Sequence, residues 1–362
     1  MIDPRQITIR AYRHDVGQRE PVHMRAAILT GILASFVAIG VAACSEGQRA
    51  TLVPEETLAD ATSTTTTTTT STTTTTTVTT TTTPPIVDGV AAPNGRQYPG
   101  IPTDAVDIAE RLVEIEWLVR GTPFDDPAFG DYAHEQQILY RYLGRHLEVH
   151  PTLWGIVPAS LAPSIELQLA GRASIAGIPS NDPPVNVPQW EIIEPLPAHE
   201  LLALYQQAAA DTGIDWTFLA AINLLETGFG RIDGLSTAGA QGPMQFLPTT
   251  WEEVSNGDIT DPYDAIPAAA RYLVRRGGPE DMERALWGYN NSDHYVAAVS
   301  AYAELFGSDI ASFHAAHAWE IHYSAAIGDL WLPVGYRLEE AKPAVDYLGD
   351  APWSAPPPVP SQ

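Results

Sequence analysis

Residues 61–85 are almost entirely threonine and end in Pro84-Pro85. Such a run offers nothing apolar to bury, so it cannot join a packed core and is expected to stay extended or disordered. Whatever folds must therefore lie downstream. Residues 45–99 taken as a tether have a random-coil span on the order of 40 Å, and a fully extended limit several times larger. With 44% hydrophobic residues and about 250 residues beyond the N-terminal segments and the Pro-rich end, the remainder suffices for one globular unit with a helical companion. The formal charge of -25 excludes nucleic acid as a partner, because phosphates demand a basic footprint. Any anionic polymer would have to be held by a local groove.

The densest local signal lies between Gly213 and Pro248. Gly213 breaks the preceding segment, Asp215 is placed to cap a helix, and Phe218, Ala221, Ile222 and Leu225 recur at the spacing of one buried helical face. Glu226 falls at the border of that stripe, and Gly228 and Gly230 supply the permissive backbone expected beyond a helix end. Burial and the negative end of the helix dipole both disfavour an ionised carboxylate there. A general acid that works near neutral pH needs such an environment.

Four motifs follow one another across about a hundred residues. They are Glu226-Thr227-Gly228-Phe229-Gly230-Arg231, then Gly239-Ala240-Gln241-Gly242-Pro243-Met244-Gln245-Phe246-Leu247-Pro248-Thr249-Thr250-Trp251, then Asp261-Pro262-Tyr263-Asp264-Ala265-Ile266, and finally Gly288-Tyr289-Asn290-Asn291-Ser292. In order and interval, the region from Leu201 to Phe306 resembles the catalytic domain of lytic transglycosylases, in the branch typified by membrane-bound lytic transglycosylase B, within the lysozyme-like superfamily. The resemblance implies a mainly α, lysozyme-like fold in which Glu226 is the catalytic acid/base. It also implies that Met244, Gln245, Tyr289 and Asn290 line a glycan groove, with Phe229 among the aromatic groups placed to meet sugar rings. Peptidoglycan strands are then the partner, and no cofactor is called for.

One carboxylate can be enough for that chemistry. Most glycosidases use two, whereas the resemblance implies cleavage of the MurNAc-GlcNAc β-1,4 bond with the sugar's own N-acetyl and C6 hydroxyl groups assisting. The product would carry a 1,6-anhydro-MurNAc end. Asp233, the nearest further carboxylate in the sequence, reads as a loop residue. The segment Ser255-Asn256-Gly257-Asp258-Ile259-Thr260-Asp261 is too short and too poor in oxygen ligands for the EF-hand loop that the branch often carries, so no metal is expected. Two other functions share parts of this signature. A lysozyme-type hydrolase would keep Glu226 and release a reducing sugar; a non-catalytic wall-binding scaffold would lose the acid.

The rest of residues 198–306 reads as helices with short connections. Thr249 and Glu252 fit a capping box, Asp261-Pro262 opens a helix that Gly277-Gly278 ends, and Ser292 caps a last one. In that helix Tyr295, Val299, Tyr302 and Phe306 repeat at core spacing, and Trp251 is likewise read as core. Upstream, Ile108, Leu112, Ile115 and Val119 form one stripe in a helical accessory region, residues 104–178, to which no chemistry is assigned. Residues 179–197 are expected to be a Pro-rich linker, residues 307–350 a packing segment, and residues 351–362 a Pro-rich tail. His314, His317 and His322 carry no zinc-protease signature and are read as structural.

Residues 1–43 read as an upstream segment and an export signal, with Met24 the expected true start: one Arg, an apolar run over residues 26–43, and Val41-Ala42-Ala43-Cys44-Ser45. This resembles a bacterial lipoprotein signal, which implies processing at Cys44, the only cysteine in the chain, and a lipid anchor preceding a tether over residues 44–99. An anchored, extracytoplasmic protein reaching into the wall is the expectation. Cys44→Ser should then remove the lipid and shift the full chain out of the membrane fraction. Unchanged membrane retention and gel mobility would refute the anchor.

Overall fold

The structure, a computed structural model, describes residues 90–178 and 182–357. Cys44, the apolar run and most of the tether lie outside these residues. Among the described residues there are twelve α-helices: α1 (Ala105–Gly121), α2 (Phe129–Leu143), α3 (His150–Ile156), α4 (Ala162–Gly177), α5 (Ala198–Thr212), α6 (Trp216–Thr227), α7 (Pro248–Val254), α8 (Pro262–Arg276), α9 (Met282–Tyr289), α10 (Asp293–Ser308), α11 (Ile310–His317) and α12 (Ala344–Asp350). Three short antiparallel pairs accompany them. They join β1 (Asn186–Val187) to β6 (Lys342–Pro343), β2 (Glu191–Ile192) to β3 (Ile232–Asp233), and β4 (Ile321–Ala325) to β5 (Gly328–Leu332). The fold is mainly α, and no described helix is long and apolar enough to cross a membrane.

Helix starts follow the sequence where a short polar side chain was available. Asp104, Asp215, Asp261 and Ser292 each accept a backbone N–H of the first turn. The capping box expected at Thr249 does not form: α7 starts one residue earlier, at Pro248, and its cap, Leu247, has no side-chain bond to give. Proline at the first helical position fixes φ and lacks an N–H, so the start needs no acceptor there. The expected linker over residues 179–197 is also not free chain throughout, because β1 and β2 within it pair with β6 and β3.

One hydrophobic core runs from α1 through α11, so the accessory helices and the motif-bearing helices share an interior. The expected stripe Ile108, Leu112, Ile115 and Val119 is buried in it. Polar ties cross the same boundary. Glu116 on α1 accepts from Tyr140 Oη at 2.6 Å and Gln136 Nε2 at 2.8 Å, both on α2. Arg120 links that carboxylate to Asp309, which caps α11. A second, smaller core lies under the β4–β5 hairpin and α12. Trp331, in a third cluster with Ala92, Tyr98 and Ile138, meets Trp353 edge to face, and its carbonyl accepts from Ser354 Oγ at 2.7 Å, docking the C-terminal segment.

Among the described residues, the most extensive helix packing is that of α4 against α10. A Cβ added at Gly171 would lie 2.7 Å from the ring of Tyr302, so glycine is what lets the two backbones approach. Gly171→Ala is expected to push α4 off α10 and lower stability by about 1–3 kcal/mol, the usual penalty for overpacking. Gly155→Ala, at a helical site with open space around it, should leave melting unchanged or slightly raised. Equal melting of the two variants would show that the contact is slack.

Candidate active site

Glu226 stands in the last turn of α6, where the chain turns back on itself. Gly228 adopts the left-handed conformation (φ 61°), and the amides of Gly228 and Phe229 return to the carbonyls of Leu224 and Asn223 at 3.0 Å each. The glycine there also makes room for the hairpin, since a Cβ would come within 2.7 Å of Ile321 Cδ1. Phe229 follows at φ 66°, an uncommon conformation for a residue with a side chain. Its ring points inward, 1% exposed, edge-on to Phe313 at 5.6 Å. This corrects its expected place beside sugar rings: the aromatic core on α10 and α11 captures it.

The loop that faces α6 is pinned by one carbonyl. Pro243 O accepts from Asn223 Nδ2 at 2.8 Å and from Thr227 Oγ1 at 2.7 Å, and Asn223 Oδ1 in turn accepts from Tyr205 Oη at 2.6 Å. Thr227 Oγ1 also accepts from the amide of Gly230 at 3.0 Å. The loop closes through reciprocal backbone bonds between Gln241 and Phe246, 2.9 and 3.0 Å. Gly242 is required within it: φ is 71°, and a Cβ would sit 1.9 Å from the carbonyl oxygen of Ile259. Gln245 takes a positive φ of 48°, and its Nε2 donates to Gly242 O at 3.0 Å. Met244 differs from the expectation. Its side chain is fully buried, and the group it offers is its carbonyl, which accepts from Tyr289 Oη at 2.7 Å.

Tyr289 and Asn290 close the arrangement at the end of α9. Tyr289 packs against Phe246 and Tyr272, with centroids at 5.9 and 5.5 Å, and lies parallel to Tyr295 at 6.4 Å. Asn290 Nδ2 is buried and has no hydrogen-bond partner among the described residues. Tyr295, read from its spacing as core alone, donates its hydroxyl to Glu226 Oε1 at 2.7 Å. It is the site residue that sequence reasoning missed. The only available signal was its position one turn after the Tyr289-Asn290 motif.

Glu226 is 7% exposed. Burial raises its pKa from 4.5 to about 7, and the Tyr295 hydrogen bond, which favours the ionised form, offsets only part of that. The acid therefore holds its proton for much of the time near neutrality. Asp233 is exposed on β3. A different carboxylate, Glu320, edges the same small cavity of about 20 Å³ as Glu226, together with Gln137, Arg141, Ile321 and His322. Glu320 is already committed: Arg96 pairs with one oxygen and Trp331 Nε1 donates to the other at 3.1 Å. Gln137 brackets its backbone through bonds of 2.8 and 3.0 Å. The accessory helix α2, to which no chemistry was assigned, thus brings side chains to the edge of the space beside the acid.

Comparison with known proteins identifies the region that carries this geometry. Residues 203–308 match the family model described as the Transglycosylase SLT domain. This chain carries an SLT domain. The match covers under a third of the chain and includes Glu226, the Pro243 loop, Tyr289, Asn290 and Tyr295. Two relatives are both named membrane-bound lytic murein transglycosylase F. That of Alcanivorax borkumensis is 36% identical over 80 residues, 22% of this chain and 16% of the relative. That of Thiobacillus denitrificans is 28% identical over 113 residues, 29% of this chain and 24% of the relative. The chain thus spans a quarter or less of these curated relatives. Their names do not single out the B-type branch. No solved structure matches.

A carboxyl with a raised pKa in the fold makes stability depend on pH. Its contribution is fully present below 4.5 and is lost as pH rises through about 7. Glu226→Gln keeps the shape and the acceptor for Tyr295 but cannot ionise. At pH 8 it should melt above wild type, by up to about 3 kcal/mol of stability, and the gap should close by pH 4.5. A constant gap across that range would show that Glu226 ionises normally.

Proposed function

We propose that the protein is a peptidoglycan lytic transglycosylase that cleaves the MurNAc-GlcNAc β-1,4 bond and leaves a 1,6-anhydro-MurNAc end. The observation that carries this reading is the state of Glu226 within an SLT domain: a carboxyl that keeps a substantial protonated fraction at neutral pH, held by one hydroxyl, with the one other carboxylate at its cavity already paired. The relatives' printed names point the same way.

In the first step Glu226 donates its proton to the glycosidic oxygen as the bond from C1 of MurNAc breaks. The sugar's N-acetyl group shields the positive charge that develops at C1. In the second step the C6 hydroxyl of the same sugar attacks C1 and returns its proton to the Glu226 carboxylate. One C–O bond is broken and one formed, no water is consumed, and the acid is regenerated. Tyr295 keeps the carboxylate aimed while it is charged, and a hydrogen bond to a charged group is worth about 1.5–3 kcal/mol. Gln245, Tyr289 and the free Nδ2 of Asn290 are the groups we assign to holding the glycan. Met244 supports Tyr289 through its carbonyl. We further read Cys44 as the lipidated end of a tether that lets an extracytoplasmic domain reach the wall from the membrane.

Proton transfer of this kind contributes roughly 10²- to 10⁴-fold. Digestion of purified peptidoglycan followed by mass spectrometry is the test. Wild type should yield 1,6-anhydro-muropeptides; Glu226→Gln should lose at least about a hundredfold in turnover, while Asp233→Asn retains most of it. Reducing ends from the wild type would make the protein a lysozyme-type hydrolase. An equally dead Asp233→Asn would call for two carboxylates.

A further inference from the structure

The junction of α2, α4, α10 and the β4–β5 hairpin holds a polar cluster for which the chemistry above has no use. Arg141 on α2, Gln168 and Arg172 one turn apart on α4, Tyr302 on α10 and His322 on β4 are each no more than 6% exposed. Asp329 on β5 is the carboxylate among them. It takes Arg141 through Nε at 2.9 Å and through Nη2, accepts from Ser324 Oγ at 3.1 Å, and lies 4.0 Å from His322 Nδ1. The His322 ring is fixed on its other side, its Nε2 3.0 Å from that of His134.

This accounting leaves positive charge and donors in excess. The guanidinium of Arg141 acts on that of Arg172. No carboxylate among the described residues lies in ion-pair range of Arg172. Its Nε, Nη1 of Arg141, both polar atoms of Gln168, Tyr302 Oη and His322 Nδ1 are buried with no hydrogen-bond partner among the described residues. Burial, with Arg141 beside it, lowers the Arg172 pKa only to about 10, so the group stays charged at neutral pH. Asp329 is the counter-charge that acts on Arg172, but it is already paired with Arg141, and two buried guanidiniums sharing one carboxylate are costly. Three of the unmet atoms, Arg141 Nη1, Gln168 Nε2 and Arg172 Nε, can only donate. A water molecule donates as often as it accepts and cancels no charge, whereas an anion accepts from every side and cancels one.

We propose that this junction binds a small monovalent anion, of halide size, between the guanidiniums of Arg141 and Arg172. The packing around the cluster leaves little room: a Cβ built at Gly171 would lie 2.7 Å from the ring of Tyr302, and one at Gly144 3.5 Å from Arg172 Cβ. The anion would join the accessory helices α2 and α4 to α10, the helix whose Tyr295 holds Glu226. Arg141 and His322 also edge the cavity beside Glu226, but anion binding here does not rest on the glycan chemistry.

The test is the melting temperature of the full chain in sodium chloride and in sodium gluconate at equal ionic strength. Wild type should melt several degrees higher in chloride, with a rise that saturates as a binding isotherm. Arg172→Met keeps the length of the side chain and removes its charge. It should lose the chloride dependence and, in gluconate, melt at or above wild type. Identical melting of wild type in the two salts, or a full chloride shift retained by Arg172→Met, would overturn the proposal. Should Arg172→Met fail to fold, wild-type crystals grown in sodium bromide decide the matter. An anomalous peak within hydrogen-bonding reach of Arg141 Nη1 and Arg172 Nε supports the site, and the absence of one there sinks it.

Discussion

The carbonyl of Pro243 is the fixed point of the site. Two side chains of α6, Asn223 and Thr227, converge on that one oxygen, and Tyr205 braces Asn223 from α5. A proline carbonyl in a tight loop has no helix or sheet to satisfy it, so buried here it must be met by side chains. Meeting it twice locks the loop to the helix that carries the acid. The carbonyl of Met244 then stands where Tyr289 can reach it, and the parallel ring of Tyr295 lies against Tyr289 with its hydroxyl on Glu226. A displacement of Pro243 would pass along this chain of contacts to the carboxylate.

Much of this was legible because it is local. The cap at Asp215, the end of α6 at Gly228 and the start of α8 at Asp261-Pro262 need only residues a few positions apart. The place of Glu226 at the rim of an apolar stripe was enough to anticipate a raised pKa, since burial is the dominant cause. The errors are also instructive. Tyr295 occupies a core position in its helix, and it is buried as the period required; its outer atom nevertheless meets a carboxylate 69 residues earlier in the chain. Periodicity identifies the face of a helix and says nothing about what a hydroxyl at the end of a ring will find. Phe229 failed in the opposite sense. Its place in a motif suggested the groove, but a positive φ and the neighbouring Phe313 turned it into the core.

The partners of Glu320 lie beyond what any local pattern holds. Arg96 is 224 residues away, and Gln137 is 183. No spacing rule joins such positions, yet they decide that the other carboxylate at the cavity is occupied. The expected division into accessory region, linker and catalytic region rests on composition. The interior ignores that division, because α4 and α10 meet across it at Gly171 and Tyr302.

The pairing of β1 with β6 brings Asn186 and Val187, just ahead of the SLT domain, against Pro343 and Lys342, well past its end. Everything between them is a closed excursion whose two ends are stapled together. The boundaries 203–308 therefore mark what is shared with other proteins, not what can be cut free. An excised fragment would lose the far side of that clasp, together with Phe313 and the α4 surface on which α10 rests. For expression and crystallisation, the natural cut points lie outside the clasp, in the tether before it and in the chain after Ser354.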